Sequence, residues 1–365
     1  MRARLGRARR VVIKIGSRLI SEDPVGRPAA LAAEVADLRA RGVTAVVVSS
    51  GAIALGRLTL GMTTRPTELP LLQAAAAVGQ GRLMQAWERA FAPFAIPVAQ
   101  ILLTHEDVSA RGRFIAARHA TAALIGLGAV PIINENDTVA TDEIKFGDND
   151  GLAALVTNLV GAEALIILTD VNGLHDADPR TGGVRIPIVA DIDREAHAAG
   201  GSSSGVGTGG MASKVQAAKI AGRSGIPTVV AEGRRPDVVR AILSGEDLGT
   251  LFVPSDERLA SRKHWIAYAL RPAGTLVVDA GARIALVDKR KSLLPSGVRQ
   301  VTGRFDAGDA VSVVDEDGHE LGRGLVSYSS EEIERIRGKR SADIEVNLGY
   351  KNLDEVIHRD DLVIL

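Results

Sequence analysis

The sequence predicts an α/β protein: a three-layer α/β/α sandwich with a mainly parallel sheet, followed by a small β-rich domain. Short apolar runs rich in valine and isoleucine alternate with longer segments of helical periodicity up to residue 254. Such alternation implies crossover connections, parallel strands and helices on both faces of the sheet. Beyond Pro272, short strand-like runs separated by glycine and aspartate replace it, which is typical of a separate β-rich domain. We therefore predict domains at 1–254 and 274–365, joined by a linker at 255–273.

Composition excludes several classes of function. Forty-four lysines and arginines balance 44 aspartates and glutamates, so the net charge gives no argument for a nucleic-acid or membrane partner. The sequence contains no cysteine, which excludes disulfides, thiolate catalysis and thiolate metal sites. The basic start of the chain leads into a short apolar run that Lys14 interrupts. This pattern argues against a signal peptide or a membrane span, and we expect a cytoplasmic protein.

Apolar periodicity defines the elements of the first domain. Residues 44–48 form a continuous run rich in valine, as expected for a strand buried on both faces, and residues 11–15 form a first predicted strand. Inside the predicted helix at 70–91, Gly79 and Gly81 indicate close approach of another backbone, because glycine there costs about 1 kcal/mol relative to alanine. The predicted strands are 11–15, 44–48, 98–103, 129–133, 164–168, 228–231 and 250–253. The predicted helices are 28–42, 70–91, 114–127, 151–160, 211–223 and 236–243.

The second domain has a different pattern. Its short apolar runs are bounded by glycine, aspartate and serine, which favours strands joined by tight turns. The predicted strands are 275–279, 284–287, 310–314 and 324–327. Only residues 330–337 are predicted to be helical.

Polar motifs follow four of the predicted strands of the first domain. In open parallel sheets, ligands bind in the crevice beyond the carboxyl ends of the strands. Four such motifs meeting at one edge predict a polar site that handles anions. The motifs are Lys14-Ile15-Gly16-Ser17, Ser49-Ser50-Gly51, Asn134–Asp137 and Thr169-Asp170.

The stretch 131–151, PIINENDTVATDEIKFGDNDG, is the most polar of these regions. Its carboxylates and amides cannot form a core, because unpaired buried polar groups cost too much free energy. A solvated surface loop with a helix cap is one interpretation. The position of the stretch between two strongly apolar elements favours the other interpretation, a functional site.

Two lysines are candidates for binding phosphate. Lys14 lies near the end of a buried strand, where an ammonium is costly unless it meets negative charge, although a lysine at an edge can also extend to water. The segment 205–214, GVGTGGMASK, combines unobstructed backbone N–H groups, a following helix N-terminus and Lys214. A flexible linker has a similar composition. Together with Lys14, the segment favours a phosphate site.

This combination of residues suits phosphoryl transfer. That reaction requires charge neutralisation and alignment of donor with acceptor more than covalent chemistry from the protein. Competing signatures are weak: the sequence contains no HExxH, and its seven histidines show no ligand-like spacing.

The motifs, in their order along the chain, resemble the amino acid kinase family. They are VVIKIGS, VVVSSGAIALG, INENDTVATDEIKFGDNDGLAALV, LTDVNGL and GTGGMASKVQAA. The C-terminal part, GARIALVDKRKSLLPSGVRQVTGRFDAGDAVSV followed by GRGLVSYSS, resembles a PUA domain. One departure is Lys289-Arg290-Lys291, which fills a turn where PUA domains usually carry a glycine.

The resemblance implies transfer of the γ-phosphoryl group of ATP to the side-chain carboxylate of L-glutamate, as the first step of proline biosynthesis. It gives Lys14, Lys214 and Asp150 catalytic roles, with Asp150 orienting the lysines. Substrate-binding residues would be Ser50, Gly51, Asn134, Asp137 and Asn149. ATP-binding residues would be Lys14, Gly16, Ser17, Thr169, Asp170, Thr208, Gly209, Gly210, Met211, Ala212, Ser213 and Lys214. No protein metal ligand is expected, because Mg²⁺ arrives on the ATP phosphates.

Charge also supports the substrate-binding role of Asp137, because its carboxylate is a natural partner for the ammonium of glutamate. An acetylated amino acid would leave that carboxylate unexplained, although related kinases act on N-acetylglutamate, aspartate, carbamate or nucleoside monophosphates. The resemblance further implies inhibition by proline, a dimer or tetramer, and a downstream glutamyl phosphate reductase as a partner. Charge around 104–113 makes that loop a candidate for sensing proline.

RNA binding through the PUA domain is the main alternative function. Residues 274–365 carry 13 basic and 17 acidic side chains, which argues against strong contact with a phosphate backbone. A local basic patch at Lys289–Lys291, Arg299 and Arg304 is its only support. A role in assembly or regulation fits this domain better.

Overall fold

The computed structural model describes residues 2–109, 111–140, 149–178, 181–192, 210–254, 272–351 and 353–364. These residues divide into two compact units. The first comprises the described residues within 1–109 and 120–258, and the second those within 110–119 and 259–365. In the described parts of the chain, no helix has both the length and the apolar character that a membrane crossing requires.

The part of the chain up to residue 254 alternates strands with helices, as predicted. The strands are β1 (Arg10–Ile15), β2 (Thr44–Val48), β3 (Val98–Leu103), β4 (Val130–Glu135), β5 (Ala164–Thr169), β6 (Ile188–Val189), β7 (Thr228–Glu232) and β8 (Thr250–Phe252). The helices are α1 (Arg2–Leu5), α2 (Ser17–Glu22), α3 (Gly26–Ala40), α4 (Ala52–Thr59), α5 (Leu69–Phe91), α6 (His105–Ser109), α7 (Arg111–Gly126), α8 (Asn149–Val160), α9 (Met211–Gly222) and α10 (Val238–Ser244). The sequence patterns did not predict helices α1, α2, α4 and α6 or strand β6.

The eight strands form one sheet in the order β3-β4-β2-β1-β5-β7-β8-β6. Its pairs are parallel except for β7 with β8, which confirms the predicted fold class. The strands that precede the four polar motifs, β4, β2, β1 and β5, are consecutive neighbours. Because these strands are parallel, their carboxyl ends lie along one edge, and so do the motifs.

The two faces of β1 are buried beneath different sets of helices. Val11, Ile13 and Ile15 belong to a core with residues from α3, α5 and α10. Side chains alternate between the faces of a strand, so Val12 and Lys14 point to the opposite face, where α8 contacts β1. This parity turns Lys14 toward the helix that carries Asp150.

Two glycines allow α4 and α5 to cross with their backbones in contact. A Cβ atom on Gly79 would lie 1.7 Å from the carbonyl oxygen of Ala52, and one on Gly56 would lie 1.7 Å from that of Ala75. The close approach predicted at Gly79 is therefore confirmed. At Gly81 it is wrong, because a Cβ there would meet nothing within 4 Å.

The C-terminal β-rich sheet is separate from the first and has the order β10-β9-β11-β12-β13. Its strands are β9 (Gly274–Val278), β10 (Val298–Gly303), β11 (Ala310–Val314), β12 (Glu320–Leu325) and β13 (Leu362–Ile364). Its helices are α11 (Ala280–Val287), α12 (Ser330–Ile336) and α13 (Ile344–Leu348). Helix α12 begins with a capping box between Ser329 and Glu332.

The predictions for this second domain missed strands β10 and β13 and helix α13, and one predicted strand is wrong. Residues 284–287 are not a strand but the end of α11, which starts where the Asp279 side chain accepts a hydrogen bond from the backbone N–H of Ala282 at 2.7 Å. A short apolar run fits either structure, and the N-cap decides it. Residues 330–337 are therefore not the only helical segment. Most of the predicted linker at 255–273 lies outside the described residues.

Candidate active site

Lys14, Asp150 and Lys214 form a buried ionic cluster beyond the sheet edge. Lys14 Nζ lies 2.6 Å from Oδ1 of Asp150, and Lys214 Nζ lies 3.1 Å from Oδ2. The three residues are 6%, 2% and 5% exposed. Lys14 therefore does not extend to water, and β1, α8 and α9 each supply one charged group.

The two lysines stabilise the ionised form of the Asp150 carboxyl. Burial alone would raise the pKa of this group, but the ammonium groups of Lys14 and Lys214 and the hydrogen bonds from Lys14 and Ser213 lower it below its usual value. The carboxylate is thus ionised at neutral pH. Two buried lysine side chains that converge on one point suit the binding of an anion.

The first turn of α9 closes one side of this cluster. Ser213 Oγ lies 2.7 Å from Oδ2 of Asp150 and 2.9 Å from the carbonyl oxygen of Gly210. Gly210 precedes the helix without a side-chain cap. The N–H groups of Met211 and Ala212 therefore begin a helix N-terminus, where a partial positive charge favours anions.

A row of uncharged polar side chains begins at Asn149, the neighbour of Asp150 in the first turn of α8. Asn149 Nδ2 donates to Ser50 Oγ at 3.0 Å and to Asn134 Oδ1 at 3.1 Å. Asn134 Nδ2 in turn donates to Gln80 Oε1 at 2.8 Å. Asn149 Oδ1 and Gln80 Nε2 are buried without a partner among the described residues. An unsatisfied buried acceptor in such a row is expected to be satisfied by a ligand.

Asp137 is a second acidic group at this edge, two residues after the end of β4. It is 9% exposed, and burial raises its pKa to about 6, with Arg65 acting in the opposite direction. Among the described residues, Arg65 is the cation whose charge lowers the pKa of this carboxyl. A ligand ammonium would stabilise its ionised form.

The turn after β2 brings Ser50 and Gly51 into the site. Gly51 has φ of +103°, a conformation that favours glycine. The preceding residue, Ser49, is fully buried, and its hydroxyl accepts a hydrogen bond from Trp87 Nε1 at 3.0 Å. Trp87 on α5 therefore anchors the start of this turn, a role that its apolar stripe did not reveal.

The ends of β1 and β5 are joined directly. The N–H of Gly16 donates to the carbonyl oxygen of Leu168 at 3.0 Å, and a Cβ on Gly16 would lie 3.3 Å from that oxygen. Ser17 opens α2. Thr169 Oγ1 donates to Asp170 Oδ1 at 3.1 Å, and Asp170 also forms an ion pair with Arg18. Arg18 was not among the predicted site residues.

The structure brings most of the predicted site residues to this edge. They are Lys14, Gly16, Ser17, Ser50, Gly51, Asn134, Asp137, Asn149, Asp150, Thr169, Asp170, Gly210, Met211, Ala212, Ser213 and Lys214. Thr208 and Gly209 lie outside the described residues, and so do residues 141–148. The functional role of each residue remains a prediction.

The fold and the site define a class of protein. Residues 9–232 match the pattern of the amino acid kinase family, and residues 274–348 match the PUA domain. The first match alone spans more than half of the chain. The chain belongs to the amino acid kinase family and is a kinase.

Curated relatives match the chain over nearly its full length, and they share one name. The chain is 54% identical to glutamate 5-kinase of Geobacter sulfurreducens, with 99% of each chain covered. It is 52% identical to glutamate 5-kinase of Pelobacter propionicus, with 98% of each covered. It is 50% identical to glutamate 5-kinase of Myxococcus xanthus, across 100% of this chain and 98% of the relative.

Proposed function

We propose that this chain transfers the γ-phosphoryl group of ATP to the side-chain carboxylate of L-glutamate, as the first step of proline biosynthesis. The observation that carries the proposal is the buried cluster in which Lys14 and Lys214 converge on Asp150, beside a row of amides with an acceptor that is unsatisfied among the described residues. The name shared by the relatives supports glutamate as the acceptor. The reaction forms L-glutamyl 5-phosphate and ADP.

The chemistry requires no general base. A side-chain carboxylate is ionised at pH 7, so one of its oxygens attacks the γ-phosphorus directly while the bond to the β–γ bridging oxygen breaks. The main obstacle is repulsion between the carboxylate and the polyphosphate. Lys14 and Lys214 would neutralise the transferring group, and Asp150 would hold both ammonium groups in place. Preorganised charge of this kind is a large contribution to catalysis.

The amino acid would bind at the amide row and Asp137. Its ammonium has two suitable acceptors, the Asp137 carboxylate and Asn149 Oδ1, the latter unsatisfied among the described residues. Ser50 and the backbone of Gly51 would hold its carboxylate end. An N-acetylated amino acid has no ammonium, so the same groups favour the free amino acid.

The nucleotide would bind along the first turn of α9 and the ends of β1 and β5. The residues that would hold it are Gly210 to Lys214, Thr169, Asp170, Gly16 and Ser17. Thr208 and Gly209 are predicted to extend this surface. Asp150 already contacts two lysines and Ser213, which fits a Mg²⁺ ion that is held mainly by ATP phosphates and water.

A hydroxylamine-trapping assay tests the function, because hydroxylamine converts an acyl phosphate into a stable hydroxamate. The assay is run with Mg-ATP and L-glutamate, and in parallel with N-acetylglutamate and aspartate. We expect hydroxamate from glutamate alone. Product from another acid would assign that acid as the substrate in place of glutamate. Absence of product from all three would contradict the proposal and favour RNA binding.

Several further expectations accompany this function. We expect inhibition by proline at or overlapping the glutamate pocket, with residues 104–113 as the candidate sensor. An assay that is insensitive to millimolar proline would contradict this expectation. We also expect a dimer or tetramer, a cytoplasmic location and delivery of the labile product to a glutamyl phosphate reductase. The domains are expected at 1–254 and 274–365.

A further inference from the structure

Gln80 is the terminal member of the amide row in the candidate site. Its Oε1 accepts the hydrogen bond from Asn134 Nδ2 at 2.8 Å, and Asn134 Oδ1 accepts from Asn149 Nδ2 at 3.1 Å. Asn149 Nδ2 also donates to Ser50 Oγ at 3.0 Å. The row therefore connects helix α5 to strand β4, to helix α8 and to the turn after β2.

Gln80 determines which atom of each amide in the row donates a hydrogen bond and which accepts one. A primary amide donates through its nitrogen and accepts through its oxygen. Because Gln80 presents its oxygen, Asn134 turns Nδ2 toward it and leaves Oδ1 for Asn149. Asn149 then uses Nδ2 within the row, and its Oδ1 remains as a buried acceptor without a partner among the described residues. In the reversed row, an N–H group would occupy that position and repel a cation.

The backbone of α5 is fixed at this point. Gly79 precedes Gln80, and its Cα is so close to α4 that a Cβ would lie 1.7 Å from the carbonyl oxygen of Ala52. Helix α4 begins directly after Ser50 and Gly51. The helix crossing thus sets the positions of both ends of the row.

The choice of glutamine at this position has a cost. Gln80 Nε2 is buried without a partner among the described residues, and an unsatisfied buried donor is destabilising. Methionine has a similar length and would avoid this penalty. The acceptor oxygen of Gln80 is therefore the feature that explains a glutamine here.

We propose that Gln80 is a positioning residue that sets the polarity of the amide row, so that Asn149 Oδ1 accepts a hydrogen bond from the ammonium of the amino acid substrate. The inference rests on the proposed function and deepens it, because it names a protonated amine as the substrate group that the row selects. Gln80 acts through Asn134 and does not contact the substrate.

Two substitutions separate the acceptor role from simple packing. Gln80→Met fills similar space but cannot accept from Asn134, whereas Gln80→Glu keeps an oxygen in the accepting position. The readouts are KM for L-glutamate and for ATP, and inhibition constants for 4-aminobutyrate and glutarate against glutamate. The first inhibitor keeps the ammonium and lacks the α-carboxylate, and the second keeps two carboxylates and lacks the ammonium. Gln85→Met, at an exposed position of α5, is the matched control.

In Gln80→Met, we expect KM for glutamate and the inhibition constant of 4-aminobutyrate to rise at least about tenfold, the effect of losing one hydrogen bond to a charged group. The inhibition constant of glutarate and KM for ATP should change less than about threefold. In Gln80→Glu and in the control, all four constants should change less than about threefold. Equal losses for both inhibitors, or no loss in Gln80→Met, would overturn the proposal.

Two further outcomes are decisive. If Gln80→Glu loses as much glutamate affinity as Gln80→Met, the substrate contacts Nε2 directly and the positioning role is wrong. If Gln80→Glu does not fold, the two inhibitors measured in Gln80→Met, or in Gln80→Leu, decide the question alone. Failure of the proposed function is distinguishable, because the unsubstituted protein would then form no hydroxamate from glutamate.

Discussion

Asn149 and Asp150 are consecutive residues whose side chains belong to different clusters. Asn149 donates to Ser50 and Asn134, while Asp150 holds Lys14 and Lys214. Both residues lie in the first turn of α8. One helical turn thus fixes the spacing between the group proposed to bind the amino acid and the groups proposed to bind the phosphates. Alignment of acceptor with donor then depends on a rigid element, as phosphoryl transfer requires.

Removing the positive charge of Lys14 or Lys214 should abolish most of the activity. We expect Lys14→Met and Lys214→Met each to lower kcat about 100- to 1,000-fold, the cost of losing one preorganised group that stabilises transition-state charge. The measurement is hydroxamate formation at saturating ATP and glutamate. Arg223→Met, which removes an exposed positive charge just after α9, is the control and should retain activity.

Asp150→Asn tests whether the carboxylate orients both lysines. The substitution leaves two buried ammonium groups without their shared counter-ion, so it should lower kcat by a similar factor. We also expect a lower melting temperature, because an uncompensated buried charge is strongly destabilising. Saturating ATP should restore part of this stability by supplying negative charge. A variant with normal kcat would exclude the orienting role.

Asp137 should make glutamate binding depend on pH. Burial raises its pKa to about 6 from the ordinary value of 3.8. As pH falls through 6 the carboxylate is protonated and loses its attraction for the substrate ammonium. We expect KM for glutamate to rise below about pH 6, while KM for ATP changes little. In Asp137→Asn, KM should be high and lack this pH dependence.

The same pKa shift predicts an opposite effect on stability. Between pH 3.8 and about 6 the folded chain binds a proton that the unfolded chain does not, so this group destabilises the ligand-free protein increasingly as pH rises from 3.8 to about 6 and by a constant amount at higher pH. Asp137→Asn should therefore raise the free energy of unfolding at pH 7.5 by up to about 3 kcal/mol, with a smaller gain at pH 4. Thermal unfolding at the two pH values measures the difference. Equal changes at both would show that Asp137 is not the group responsible.

The sheet and the edge that carries the candidate site were predictable, because their signals are local. Runs such as those of β1, β2 and β5 identify buried strands, and the parallel order then places Lys14, Ser50 and Thr169 at one edge. The parity of β1 could also be counted from sequence. These predictions needed no knowledge of contacts between distant residues.

Other features depend on tertiary contacts that leave no local pattern. Gln80 lies on an amphipathic helix, where an isolated glutamine normally indicates a solvent-facing position. Helix α4 is short and contains Gly56, so its periodicity is weak, and contact with Gly79 stabilises it instead. At residues 284–287 the local pattern is misleading rather than missing. Their apolar run favours a strand, and the Asp279 cap is the signal that identifies a helix.

Gly79 and Gly81 offer a matched pair of substitutions on one helix. Gly79→Ala would place a methyl group 1.7 Å from the carbonyl oxygen of Ala52, so α4 and α5 must separate. We expect a loss of more than about 3 kcal/mol in the free energy of unfolding. Gly81→Ala meets nothing within 4 Å, and the higher helix propensity of alanine should stabilise the protein by about 0.5–1 kcal/mol. Thermal or urea unfolding of both variants measures this, and similar effects would contradict the proposed crossing.

Arg290 provides a test in the C-terminal sheet domain. It has φ of +51°, in the left-handed region that costs a non-glycine residue about 1–2 kcal/mol, in the turn where PUA domains usually carry glycine. Arg290→Gly should therefore stabilise the protein by up to about 1 kcal/mol, since part of the gain is lost to the greater freedom of the unfolded chain. The neighbouring Lys289 does not have positive φ, so Lys289→Gly should be neutral or destabilising. Calorimetric unfolding of the pair distinguishes relief of backbone strain from loss of positive charge, because both variants remove one charge and only one relieves strain.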